Sequence, residues 1–408
     1  MRVIDGGITA PQGFKATGKH IGIKKVKKDL ALLSSDVAAE AAGVYTTSLV
    51  KAAPILWNKS LTDSGTKIKG LVCISGNANA CTGNRGIRDN ETMAATFAQC
   101  IGAKKDEILT AATGIIGLDM PMDTITNGIN DTYKNLSNKR EEAKNAATGI
   151  ITTDTFIKEM AVQLNIGGKS VKIGAMCKGS GMIHPNMATV LSFITTDLNI
   201  SRELLHKALL FSVKETYNMI SVDGATSTND MCLIMANGMA ENAKITEEDE
   251  FYEAFKNALY FINEKFAKDI VHDGEGAGKF IEVNVNGAKS DHDARLLAKS
   301  IVTNNLVKTA MYGEDANWGR VVAAMGGSGG YFDPSKVDIS FESEKGKVLL
   351  MKHGEPVHFD ENEAADVLSE RDITVQITLE DGIFTAKSWG CDLGHEYVRI
   401  NGEYRSRT

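Results

Sequence analysis

Residues 177–197 read C-K-G-S-G-M-I-H-P-N-M-A-T-V-L-S-F-I-T-T-D and set one hydroxyl where an unusual chemistry is open to it. Gly179, Gly181, Pro185 and Asn186 favour turns and close backbone approach. Residues 189–196 are rich in β-branched and aromatic side chains, so a strand is predicted to begin abruptly at Thr189. If the Ala188–Thr189 bond were cut, Thr189 would carry both a hydroxyl nucleophile and a free α-amine. That amine has an ordinary pKa of roughly 7.7–8 and can take the hydroxyl proton without another side chain. In the cut itself, Thr189 Oγ would attack the Ala188 carbonyl carbon, and water would hydrolyse the ester left by the N-to-O acyl shift. The plain alternative is a structural threonine that opens a strand.

Other stretches offer partners. In residues 109–117, L-T-A-A-T-G-I-I-G, the Thr113 hydroxyl and an amide exposed at Gly114 could stabilise an oxyanion, although a Thr–Gly pair alone is common. Residues 75–83, S-G-N-A-N-A-C-T-G, follow a compact apolar strand and read as a capped turn rich in amide donors. Residues 151–155, I-T-T-D-T, read as an Asp-capped turn before a short helix-like segment at 156–160. His184 suggests a His/Thr pair and Cys177 a thiol nucleophile, but no oriented His–acid pair accompanies either. Residues 272–278, H-D-G-E-G-A-G, hold two acids, a histidine and three glycines. Their spacing matches neither a phosphate loop nor a metal ligand set, so no metal is expected. The lysines of 24–28 read as a solvated basic face.

The elements that must carry these residues are mixed. Strands are expected at 29–33, 44–47, 71–74, 171–176, 231–236, 280–285, 337–341, 348–352, 373–379 and, at the end, around Tyr397, Val398 and Ile400. Helices are expected at 91–101, 122–136, 201–220, 247–271 and 291–309, and 137–144 reads as an exposed bend or helix end. Such spacing argues for a mixed α/β architecture.

With 408 residues and 43% hydrophobic content, the chain can bury two or three domains or one large intertwined unit. A net charge of -7 gives no general reason to expect nucleic acid. Six cysteines without C-x-x-C spacing suit a reduced, cytoplasmic protein. No apolar run approaches a membrane span or a signal segment.

The junction at 178–197 resembles the self-processing site of the ornithine acetyltransferase family, also called glutamate N-acetyltransferase. The likeness continues through 75–83, 109–117, 151–155, the S-V-D-G-A-T-S-T-N-D of 221–230, the D-G-E-G of 273–276, 313–320 and 389–401. Ala225 stands where the family usually has Asp, Ala316 where it has Pro, and Ser406 where it often has Thr. The resemblance implies an α/β fold in a layered helix-sheet-sheet-helix arrangement, like that of N-terminal-nucleophile enzymes. It implies cleavage at Ala188–Thr189 into an α part (1–188) and a β part (189–408), held as an α2β2 assembly. Thr189 would carry the acetyl group, with Thr113 and Gly114 as the oxyanion donors. Thr152 (or its neighbour Thr153), Lys178, Glu275, Asn401 and Ser406 would hold the amino acids. The implied reaction moves acetyl from N2-acetyl-L-ornithine to L-glutamate without a cofactor. Acetyl-CoA would be a co-substrate only in a bifunctional member. An N-terminal-nucleophile amidohydrolase or aminopeptidase is the more distant alternative.

Overall fold

The computed structural model describes residues 1–184 and 190–403. Ala188, Thr189 and Ser406 therefore lie outside the described residues. Among the described residues, nine strands form one large sheet and seven form a second. The large sheet runs from Arg2–Ile4 through Lys158–Ile166, Lys169–Lys178, Leu191–Thr196, Met231–Ala236, Leu30–Tyr45 and Ile68–Asn77 to Ile108–Ile115, with Phe14–Lys19 also paired to Leu30–Tyr45.

Leu30–Tyr45 is the hinge of this sheet. Its first part pairs with Phe14–Lys19 and Ile68–Asn77, and its last part with Met231–Ala236. Two short strands are expected here, because the intervening small and polar residues have weak strand propensity. The structure instead has one strand of 16 residues. Partners taken up in succession satisfy its backbone, which outweighs local propensity.

Alternating side chains make the layers. Leu30 and Leu32 pack with Val72, Phe97 and Ile125 under the helices Gly83–Ile101 and Met122–Thr132. Ala31 and Leu33 face the other way, into a core shared with Phe193 and Leu233. On Met231–Ala236 the neighbours of Leu233, Cys232 and Ile234, join a third core with the helices Arg202–Glu215 and Glu250–His272. Two parts of the large sheet thus face each other across a shared core, giving the order helix, sheet layer, sheet layer, helix, so the fold is the mixed layered α/β one that the resemblance implies. The second sheet, which includes Phe280–Ala288, Asp372–Thr378 and Phe384–Cys391, packs into that third core. Leu191–Thr196 and Met231–Ala236 lie between Lys169–Lys178 and Leu30–Tyr45, so strands from before and after residue 188 interleave in one sheet.

Four further expectations are corrected. The helix-like segment at 156–160 is the start of the strand Lys158–Ile166, which turns through Gly167 and Gly168 (φ +56° and +81°) into Lys169–Lys178. Two successive left-handed residues make the hairpin turn that suits strand twist. The exposed bend or helix end at 137–144 is the start of a longer helix, Arg140–Ile150, whose Ala143, Ala146, Ala147 and Ile150 are buried. The helix at 291–309 is two, Asp291–Thr303 and Asn305–Tyr312, because extended Asn304 accepts from the amides of Leu306 and Val307 and starts a new helix. The terminal strand at 397–400 is the helix His395–Gly402, since β-branched residues favour strands only where a partner strand is at hand. No helix among the described residues is long and apolar enough to cross a membrane.

Candidate active site

Thr113, Gly114, Thr152, Lys178, Glu275 and Asn401 line one cleft of about 300 Å³. They come from widely separated parts of the chain and include every candidate residue within the described part. Thr153 lines it too. The cleft has two differently built walls.

The first carries Thr113 and Gly114. Ile68–Asn77 and Ile108–Ile115 run parallel and end side by side, with Gly76 opposite Gly114. Gly114 has φ +136°, and a Cβ there would lie 2.3 Å from the Gly76 carbonyl carbon. Only glycine permits that approach. Amides secure the surroundings. Asn77 Nδ2 donates to Asp119 O (3.0 Å), and its Oδ1 accepts from the Asn79 amide (2.8 Å). Buried Asn229 donates from Nδ2 to the carbonyls of Ala78 (2.6 Å) and Ala112 (2.8 Å), directly before Thr113. Ser227, Thr228, Asn229 and Asp230 also line the cleft. Burial pushes the Asp230 carboxyl well above the usual carboxylate range, against the opposing pull of Lys178 and bonds from Ser227.

The second wall carries Thr152, Lys178 and Glu275, and charge holds it. Lys158 Nζ, fully buried, donates to Asp154 Oδ1 (2.8 Å) and Asp273 Oδ2 (2.5 Å). Asp154 also accepts from the amides of Thr152 (3.1 Å) and Gly179 (2.8 Å). Burial alone would raise the Asp154 carboxyl; the ammonium groups of Lys158 and Lys178 outweigh it and hold the group below its ordinary value. Burial would likewise lower Lys158, but its two carboxylates hold it up. Asn401, on His395–Gly402, donates to Glu275 Oε2 (2.9 Å). Gly181 leaves room for the Glu275 carboxylate, which an added Cβ would meet at 2.3 Å.

Of the rival nucleophile arrangements, the His/Thr pair has its threonine, Thr189, outside the described residues. His184 Nδ1 lies 3.2 Å from Ser221 Oγ, and burial, with Lys299 adding to it, pushes the imidazole down to about 4. Cys177 is buried, and burial pushes its thiol well up. Among the described residues, no cluster of three or more His, Cys, Asp or Glu side chains could hold a metal ion.

Sequence reasoning does not find Lys158, Asp154, Asn229 or Asp230 as site residues. Asp154 and Asp230 lie in segments already marked by motif, which is the only signal they offer. A lone lysine in a segment read as helical offers none. Of the lysines of 24–28, Lys25 and Lys27 are exposed as expected, and Lys24 departs from that reading. Lys24 is half-buried, and Lys24, Lys25 and Lys27 line a second cavity of about 520 Å³ that shares Gly114, Thr152, Thr153 and Glu275 with the cleft.

Comparison with known proteins gives a consistent family. The ArgJ family model matches residues 15–406. The chain is 48% identical over 406 residues to the arginine biosynthesis bifunctional protein ArgJ of Caldanaerobacter subterraneus subsp. tengcongensis, covering 100% of both chains. It is 49% identical over 409 residues to the protein of that name from Symbiobacterium thermophilum, again covering 100% of each. A crystal structure of the Bacillus halodurans protein so named is 46% identical, covers 52% of this chain and 98% of that one, and has a TM-score of 0.49.

Proposed function

The chain belongs to the ArgJ family, and from that premise we propose that it transfers acetyl from N2-acetyl-L-ornithine to L-glutamate through an acetyl ester on Thr189. The observation that carries this reading is the convergence of Thr113, Gly114, Thr152, Lys178, Glu275 and Asn401 on one cleft. Cleavage at Ala188–Thr189 frees the amine that serves as base. The α part (1–188) and β part (189–408) stay together because their strands interleave in one sheet, and two such pairs form the α2β2 assembly. The enzyme works in the cytoplasm, in arginine biosynthesis.

In the first half-reaction Thr189 Oγ attacks the acetyl carbonyl while the α-amine takes its proton. The Thr113 hydroxyl and the Gly114 amide donate to the resulting oxyanion. The C–N bond then breaks, and ornithine leaves with a proton returned from the α-amine. In the second, the glutamate amine attacks the acetyl ester, and Thr189 Oγ recovers a proton as N-acetylglutamate departs. Lys178 holds a substrate carboxylate and Glu275 an amine, with Thr152, Asn401 and Ser406 completing the hold.

Labelled N-acetylornithine alone is expected to leave its acetyl group on the β fragment at Thr189 and release ornithine; added glutamate should discharge it. Sequential kinetics with no acetyl-protein would reject the covalent route, and label lost only to water would indicate a hydrolase. Intact mass should show two chains summing to the precursor plus one water. A fully active single chain would sink the processing step.

A second reading, acetyl-CoA as an additional donor, is favoured by the cavity beside the cleft with Lys24, Lys25 and Lys27 on its lining. The relatives' names call those proteins bifunctional. An assay of acetyl-CoA with glutamate decides it.

A further inference from the structure

Among the described residues, those assigned to substrate binding have no direct side-chain bond from one segment to the next except that of Asn401 to Glu275. Their backbones meet at one buried ammonium. Thr152 and Gly179, which follows Lys178, both donate their amides to Asp154. On the far side of Lys158, Asp273 accepts from the amide of Thr155 (3.1 Å to each oxygen). The Asp273 carbonyl accepts from Ser180 Oγ (2.6 Å), and the Ser180 carbonyl accepts from the Glu275 amide (2.9 Å). Lys158 Nζ bridges the two carboxylates.

The charge count adds a second point. Two buried carboxylates share one buried ammonium, which leaves one negative charge in excess. Lys178 acts on Asp154 from the cleft side as a further cation. The node is thus completed by a residue that itself faces the substrate.

We propose that Lys158 is a positioning residue: by bridging Asp154 and Asp273 it sets the relative placement of Thr152, Lys178 and Glu275, and so the affinity for both amino-acid substrates. The proposal rests on the reading of the cleft as an amino-acid site. It does not give Lys158 contact with substrate or reacting atoms, since the side chain is fully buried behind the wall. The strand start at Lys158 turns this side chain inward, where the helix expected from sequence would not require it.

The experiment compares wild type with Lys158→Met and with Lys158→Met/Asp273→Asn. The double variant restores the native charge of the node, keeps Asp154 with its bonds to Thr152 and Gly179, and removes the bridge while leaving one side-chain oxygen at 273 to accept from Thr155. In processed, folded protein, KM for N-acetylornithine and for glutamate is expected to rise ~10-fold or more in both variants, with kcat within ~3-fold, the pattern of lost uniform binding. A merely structural role would reduce the active fraction, lowering apparent kcat at unchanged KM, and that result overturns the proposal. Native KM values in the double variant would overturn it too, because charge balance alone would then suffice. If the single variant does not fold, the double decides. If wild type transfers no acetyl group, the functional reading fails, and calorimetry with glutamate reads the positional claim. Glutamate should then bind ~10-fold more weakly to the double variant; equal affinity, or no binding to wild type, overturns the proposal.

Discussion

Asp154 and Asp230 are both nearly sealed from solvent, 2% and 5% exposed, Asp154 behind one wall of the cleft and Asp230 in the lining of the other, yet their carboxyl groups shift in opposite directions. Burial pushes both up. Asp154 has an ammonium at 2.8 Å and two backbone amides. Asp230 has a backbone amide from Ser227 at 3.1 Å and only the more distant charge of Lys178. Burial therefore does not assign a charge state. A contact counter-ion does, because desolvation is overcome only where opposite charge and hydrogen bonds meet the group directly. The walls follow suit. Buried charge unites the one that would bind ionic ends of amino acids. Neutral amides and backbone packing build the one that would carry the oxyanion pair.

Lys158→Met should have the largest effect on stability. It leaves two carboxylates buried without their cation, and the expected loss is about 3–5 kcal/mol by denaturant unfolding. A loss under about 1 kcal/mol would mean that the charged wall does not depend on its ion pair. Thr113→Ala tests the neutral wall. Its kcat should fall by roughly 10²–10³ with little change in KM, because an oxyanion donor acts mainly in the transition state. Mass analysis must first establish normal processing, and a rise in KM at unchanged kcat would exchange the roles of the walls.

Acidity offers a sharper contrast. The folded-state value of Asp154 lies below its ordinary 3.8, so its charge contributes stability above that value and loses it as pH falls through the folded value. For Asp230 the folded value lies above 3.8, so the cost of keeping it buried grows as pH rises from 3.8 toward the folded value. Measured against wild type from pH 3 upward, Asp154→Asn should become less favourable as pH rises and Asp230→Asn more favourable. Parallel pH profiles would erase the distinction. At the acid end of that range Asp230→Asn should be the mildest change, within about 1 kcal/mol of wild type, since an amide resembles the protonated acid, and toward neutral pH it should become stabilising.

Much of the candidate site was legible because its segments are marked locally. Thr113–Gly114, Thr152, Lys178, Glu275 and Asn401 sit in motifs that resemble a known family, and all of them reach the cleft. Their supports were not legible. Lys158 looks like any lysine in F-I-K-E-M, and the segment reads as helix-like because the glycine pair that turns its strand lies nine residues on. The lysines at 24–28 read as a surface, and Lys25 and Lys27 are exposed; what local pattern does not show is that wholly buried Asp29 accepts from the amides of Ile21, Ile23 and Lys24 and folds their loop toward the site.

By itself the sequence determined what is local. Alternation placed Leu233 and Ile234 in different cores, and Ser201 capped its helix through the Leu204 amide. Propensity and capping act within a few residues, so they can be read in order along the chain. Tertiary structure decided strand pairing over the weak middle of Leu30–Tyr45, the inward turn of Lys158, and the opposite charge tendencies of Asp154 and Asp230. Each depends on which distant groups arrive to satisfy a backbone or neutralise a charge. A carboxylate meets its cation, or fails to, only when the chain has brought the two into contact.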